Sequence, residues 1–372
     1  MGNLKALFIA LVSNIALANS VARANFYADT FFNWGYQNTA IWGDGDNLAL
    51  ILNNVSGSGI QTRKQYLFGS IEMQIKLVEG NSAGTVTTYY LSSTGEKHDE
   101  IDFEFLGNLS GKPYMIHTNV YAQGVGNREQ QFYPWFDPTS DFHNYTIHWN
   151  PSQIVWFIDS IPIRVFKNHE NIGIPYPNQQ AMQAYSSIWN ADNWATQGGL
   201  VKIDWSNAPF IARYRKLKLR ACEWKGQNSI YKCASSTPNN WWTSSEYSQL
   251  SYAQMGQMEW VRNNYMVYDY CKDTKRFLCL LKSALCGVSF HVSTDHHEPD
   301  PRLLSEDHPR ERGGSEGGGV GDRDCDGDRS VAEHVEESGG GAEVDDEGDG
   351  VVIDGDEIGP LAELAHCAEV LL

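Results

Sequence analysis

The chain has 372 residues and a formal net charge of -18, with 41% hydrophobic, 12% aromatic and 20% charged residues. The composition is globular, and the acidity excludes nucleic acid as the main partner, because phosphate neutralisation needs basic side chains. The imbalance sits at one end: residues 278–372 hold 24 of the 46 acidic but 6 of the 28 basic residues, which leaves the first 277 with 22 of each.

Residues 1–24 read as a secretory signal peptide. Lys5 precedes the apolar run Ala6 to Val12, and small-residue cleavage patterns follow at Ala16-Leu17-Ala18 and Ala22-Arg23-Ala24. The run is short and interrupted by Ser13 and Asn14, so a bilayer span is not expected. The expectation is a secreted protein with no membrane partner.

From Asn25 to Arg220, apolar and polar residues alternate in short runs. Examples are Leu67 to Leu77, Thr85 to Leu91, Thr146 to Trp149 and Ile154 to Asp159, separated by Gly, Asn, Pro and Ser clusters. This pattern predicts an all-β antiparallel sandwich or barrel over residues 25–220. Residues 221–277 read as a C-terminal extension. Cys222 and Cys233 enclose a short loop there and form the expected disulfide, whereas Cys271 has either Cys279 or Cys286 as its candidate partner. Tyr252 to Arg262 predicts a helix with Met255, Met258 and Val261 on one face. No Cys/His spacing suggests a metal, and no cofactor is expected. Sequons begin at Asn54, Asn108 and Asn144, the last inside a strand-like run.

The stretch His98-Asp99-Glu100-Ile101-Asp102-Phe103-Glu104-Phe105-Leu106 carries the chemistry. As a strand it points Ile101, Phe103 and Phe105 into a core, and His98, Glu100, Asp102 and Glu104 the other way. Crowded acids on a strand with an apolar back call for a cation or a function. Calcium fits poorly, because its sites favour loops rich in backbone oxygens. A solvated acidic face is the other alternative. Retaining glycoside cleavage uses such a set: a carboxylate nucleophile, a protonated carboxyl as acid, and a third acid able to raise a neighbour's pKa. Glu100 and Glu104 are nominally about 13 Å apart along an extended strand, so twist and side-chain reach must close the gap.

This motif, continuing through Gly107-Asn108, resembles the active-site strand of plant xyloglucan endotransglucosylase/hydrolases of glycoside hydrolase family 16. The likeness extends through Tyr66 to Gly69, Gly80 to Thr87, Trp135 to Thr139, Ile161 to Phe166, Ser186 to Trp194 and Asp269 to Phe277, covering about residues 25–277. It implies a concanavalin-like β-jelly-roll sandwich with an open cleft. It further implies Glu100 as nucleophile, Asp102 as its hydrogen-bonded helper, Glu104 as general acid/base, and Asn108 as a glycosylation site. Substrate contacts implied by the family are Glu104, His117, Thr118, Asn119, Asn127, Arg128, Glu129, Asn193, Trp194, Gly199 and Arg276. Tyr89, Tyr90, Trp189 and Trp194 are candidate sugar platforms, whereas Trp149 and Trp156, inside strand runs, read as core.

The resemblance implies a secreted enzyme of the cell wall and apoplast, a monomer with a xyloglucan donor and a xyloglucan or oligosaccharide acceptor. The loop from Ala191 to Trp205 is similar to the transferase branch. A xyloglucan endohydrolase and a non-catalytic glucan-binding module are the alternatives. Gln183 and Gln197 replace residues that are often basic in the family. After Phe277 the family's short Pro-rich ending is missing. Residues 278–372 are acidic and Gly-rich, a composition that predicts disorder, and the break reads as a misjoined exon or a read-through intron.

Overall fold

The computed structural model describes residues 24–273, all within one of the two units into which the chain divides. Residues 1–23 of the expected signal, Arg276, Cys279, Cys286 and the acidic tail lie outside the described residues. Ala24, assigned above to the signal, is buried and donates its N–H to the Leu217 carbonyl (3.0 Å).

Two antiparallel sheets form the sandwich. In chain order the strands are β1 (Thr30–Trp34), β2 (Thr39–Trp42), β3 (Asn47–Leu52), β4 (Ser58–Thr62), β5 (Tyr66–Lys76), β6 (Thr85–Ser92), β7 (Glu100–Leu106) and β8 (Met115–Tyr121). They continue with β9 (Gln130–Phe132), β10 (His143–Trp149), β11 (Gln153–Ile158), β12 (Ile161–Lys167), β13 (Gln183–Asn190), β14 (Phe210–Glu223) and β15 (Met266–Asp269). One sheet runs β1-β4-β13-β6-β7-β8-β9-β15 and the other β12-β11-β10-β5-β14-β3-β2. The chain passes repeatedly between them, which gives the expected jelly roll.

Alternation explains the core. Ile101, Phe103 and Phe105 of β7 are fully buried. Phe103 and Phe105 meet the Tyr145 ring of the opposite sheet edge-on, at 5.6 and 4.7 Å between centroids. Ile71, Met73 and Ile75 of β5 and Ile147 and Trp149 of β10 complete the layer. Such rings bury large apolar areas, which drives the sheets together.

The C-terminal extension contributes strand residues to the sandwich. Its β15 pairs with β9, placing Asp269 opposite Gln130, and β14 runs across the expected boundary at 220. Cys222 and Cys233 form the expected disulfide, and Cys271 is disulfide-bonded as well. Three helices are described: α1 (Phe26–Asp29), α2 (Ser229–Ala234) and α3 (Tyr252–Asn264). The Ser251 hydroxyl accepts from the Gln254 N–H (3.3 Å) and the Gln254 amide oxygen accepts from the Ser251 N–H (3.0 Å), a capping box that starts α3. Of the expected face of α3, Val261 is buried and Met258 half-buried, whereas Met255 is 41% exposed. The expected face is rotated, because the helix touches the body with only one narrow side.

Candidate active site

β7 lies between β6 and β8, so its carboxylates have neighbours on both sides. The ladders place Ser92, Glu100 and Tyr121 in one row, Tyr90, Asp102 and Asn119 in the next, and Thr88, Glu104 and His117 in the third. These rows share the face away from the core. Ser187 of β13 extends the third row, with its hydroxyl 2.8 Å from that of Thr88. Tyr185 stacks on Tyr90 at 5.0 Å beside the second.

The three acids have different environments. Burial raises Asp102 well above the ordinary range, and the flanking charges of Glu100 and Glu104 raise it further. Burial also raises Glu100, but hydrogen bonds from Ser92 and Asp102 and the proximity of His98 pull it back. The proton shared by this pair therefore resides on Asp102, which donates to a Glu100 carboxylate. Burial, with the charges of Glu100 and Glu129, pushes Glu104 up to about 7. Glu104 thus keeps its proton in mildly acidic solution.

His117 Nδ1 is 3.8 Å from Glu104 Oε2. Burial lowers His117 to about 4, so between pH 4 and 7 the pair is two neutral groups rather than a salt bridge. His117 Nδ1 is buried with no hydrogen-bond partner among the described residues. The Trp194 ring stands edge-on to it at 6.5 Å. Trp194, Asn193 and Gly199 belong to one loop. The Thr196 hydroxyl donates to the Gly107 carbonyl (2.8 Å) and accepts from the Gly84 N–H (2.8 Å), which pins that loop to the end of β7. Gly199 has φ +83°, and a Cβ there would meet the Asn193 carbonyl oxygen at 2.1 Å. Only glycine fits this turn.

The other residues expected at the site divide. Strand alternation sends His117 and Asn119 to the carboxylate face but Thr118 to the core, opposite Phe103, where its hydroxyl donates to the Gln130 carbonyl. Arg128 is 2% exposed and donates to the Val120 and Val125 carbonyls, so its guanidinium serves the backbone. Asn127 is exposed at φ +68°, and Glu129 is half-buried near Glu104. Asn108 follows β7, with its amide donating to the Pro113 carbonyl (2.9 Å). Tyr89, a candidate platform, is fully buried and stacks on Phe103, whereas its neighbour Tyr90 lies in the Asp102 row and stacks on Tyr185.

Four groups escaped sequence reasoning. Ser92 and Tyr121 join the rows through β6 and β8, and only strand register reveals them. Trp156 and Arg164 act from the opposite sheet. Trp156 donates its indole N–H to the Asp102 carbonyl (2.9 Å). Arg164, 2% exposed, donates to the Thr118 carbonyl (2.8 Å) and the Arg128 carbonyl, with its guanidinium 4.8 Å from the Trp156 ring.

Two family models match this chain: Glycosyl hydrolases family 16 over residues 27–207, and the Xyloglucan endo-transglycosylase (XET) C-terminus over residues 236–280. Xyloglucan endotransglucosylase protein 7 of Diospyros kaki is 56% identical over 254 residues, covering 68% of this chain and 94% of that protein. The chain belongs to the xyloglucan endotransglucosylase/hydrolase family. Another member, xyloglucan endotransglucosylase/hydrolase 2 of Glycine max, is 52% identical over 272 residues, covering 73% of this chain and 93% of that one. Among solved structures, the Bacillus licheniformis β-glucanase matches with 22% identity and a TM-score of 0.43, covering 55% of this chain and 95% of that one. Membership in the xyloglucan endotransglucosylase/hydrolase family makes the protein a retaining, transglycosylating enzyme of the glycosidase type.

Proposed function

We propose that the protein cleaves the β-1,4-glucan backbone of xyloglucan by double displacement and passes the glycosyl group to a xyloglucan acceptor. The observation that carries this reading is the ladder that sets Glu100, Asp102 and Glu104 in successive rows on one open strand face, with burial and the charges of Glu100 and Glu129 pushing Glu104 up to about 7.

Glu100 attacks the anomeric carbon while Glu104 gives its proton to the leaving oxygen. The glycosidic C–O bond breaks and a covalent glycosyl-Glu100 forms. Glu104, now a carboxylate, takes a proton from the incoming hydroxyl, whose oxygen displaces Glu100 with overall retention. Asp102 holds Glu100 in position and keeps it ionised. Asn119, His117 and Trp194 offer hydrogen bonds and an apolar ring to the sugars beside the row. Residues 25–277 carry 22 acidic and 20 basic residues, a balance suited to an uncharged polysaccharide.

Transfer rather than hydrolysis is favoured by the pinned Asn193–Trp194 loop. A wall held in place can seat an acceptor chain in attacking geometry and exclude water. The name of the Diospyros kaki relative, an endotransglucosylase, agrees with this. The reading places the protein outside the plant cell, remodelling the wall. The test is incubation with xyloglucan, with and without labelled acceptor oligosaccharide. Label entering polymer supports transfer, rising reducing ends mean hydrolysis, and neither outcome would leave only a glucan-binding module. The Glu100→Ala variant must lose turnover.

A further inference from the structure

The seven-stranded sheet has an outer face that the carboxylate rows do not use. Along β10, Tyr145, Ile147 and Trp149 are buried in the core, so Asn144, Thr146 and His148 face outward. In the same way β5 turns Ser70 and Glu72 outward, and β11 turns Gln153 outward. The C-terminal segment from Trp241 to Gln254 stands beside this face, and together they enclose a cleft of about 320 Å³.

We infer that this outer cleft is a second saccharide-binding site that takes a segment of neutral glucan. Its charges balance only as a set: the carboxylates of Glu72 and Glu246 line it, against the Arg220 guanidinium and the Lys218 ammonium held at Glu72. Glu72 accepts from Lys218 Nζ at 2.9 Å and from Arg220 Nη2 at 2.8 Å, so both cations are already committed. Hydroxyls and amides of Ser70, Thr146, Asn144 and Gln254 also face the cleft, beside the apolar side chains of Val155 and Phe157. One wall is aromatic: the Trp241 and Tyr247 rings meet at 4.9 Å and 76°, with the His148 ring 5.6 and 5.2 Å from them. Rings beside amides and hydroxyls suit a polyhydroxylated ligand, which offers C–H faces to the rings and O–H groups to the amides. With two carboxylates, Glu72 and Glu246, set against two cations, the cleft has no net positive charge to attract an anionic ligand.

The cleft is also preformed. The Tyr247 carbonyl accepts from the side-chain amides of Asn150 (2.8 Å) and Gln153 (3.0 Å), which ties the wall to the floor. The Arg220 guanidinium lies 4.8 Å from the Trp241 ring. Little ordering remains for a ligand to impose. A glucan held here, on the side of the sandwich away from Glu100, keeps the enzyme on polymer while the active face turns over.

The test titrates the full chain carrying Glu100→Ala with cellohexaose and with a xyloglucan oligosaccharide, reading stoichiometry by calorimetry, with an oligogalacturonate as the charged control. Two sites per chain are expected, and Trp241→Ala should weaken the second about tenfold or more. Asn144→Ala, which removes one floor amide and leaves the wall intact, should weaken the same site and not the other. On otherwise unaltered enzyme both variants should keep full rates on a short soluble donor and lose rate on insoluble polymer. A single site, a second site that survives both variants, or a preference for the oligogalacturonate overturns the inference. Stoichiometry does not depend on turnover, so it can fail while the proposed reaction stands.

Discussion

Trp156 and Asp102 sit on opposite sheets, and the indole N–H of one bonds the main-chain carbonyl of the other at 2.9 Å. The bond crosses the core to fix the strand that carries all three acids. Trp156→Phe keeps a ring but leaves that carbonyl short of a donor. A stability loss of about 2 kcal/mol or more is expected in urea unfolding. Small displacements of reacting groups cost rate, so kcat should fall more than KM rises; an unchanged kcat would remove Trp156 from the positioning of the site.

Glu104 gives the pH dependence. Its ordinary value is 4.5 and its folded value about 7. Within that window the unfolded chain binds fewer protons than the folded one, so stability falls as pH rises from 4.5 to 7. Glu104→Gln should flatten this slope in unfolding measured across the window. In wild-type activity the acid form is lost above about 7, so kcat/KM should decline there. His117 titrates at about 4 and should contribute no limb near neutrality. The alkaline limb should therefore survive in His117→Gln; its disappearance would assign it to the imidazole.

Asp102 works as a hydrogen-bond donor to Glu100. Asparagine can donate in its place and alanine cannot. Asp102→Asn should thus keep more activity than Asp102→Ala, for which a loss on the order of a hundredfold is expected. The acid limb of Asp102→Ala should also move to higher pH, because the bond that lowers Glu100 is gone. Initial rates over pH 4–7 check both; equal rates in the two variants would rule out the donor role.

Gly199→Ala puts a methyl group against the Asn193 carbonyl at a left-handed backbone position. A stability cost of about 1–3 kcal/mol is expected, together with displacement of Trp194. Transfer should suffer more than hydrolysis, seen as a lower ratio of labelled polymer to new reducing ends. A ratio equal to wild type would detach this loop from acceptor binding.

How much of this the sequence discloses depends on the range of each interaction. The period-two run of Leu67 to Leu77 reports β5 directly, because side chains on one strand alternate whatever surrounds them. The same rule separates Glu100, Asp102 and Glu104 from Ile101, Phe103 and Phe105. It leaves Tyr89 and Tyr90 ambiguous until the strand's phase is known, and the structure buries the first and stacks the second on Tyr185. The family resemblance groups Thr118 with His117 and Asn119, yet the same alternation turns it inward, opposite Phe103. Trp156 and Arg164 reach across the sandwich to acceptors 36 to 54 residues away, and no local pattern encodes that.

Arg164 has a consequence for how the two layers move. Apolar packing is non-directional and would let one sheet slide over the other. Each main-chain carbonyl, however, has a second lone pair free after its ladder bond. Arg164 takes that of Thr118 on β8, Trp156 that of Asp102 on β7, and Tyr214 that of Thr88 on β6 at 3.3 Å. The far layer is thereby keyed, like teeth in a lock, to the strand that carries the acids and to its neighbour on either side. Shear between layers, which a greasy interior alone would permit, is blocked along the line where a fraction of an ångström sets the rate.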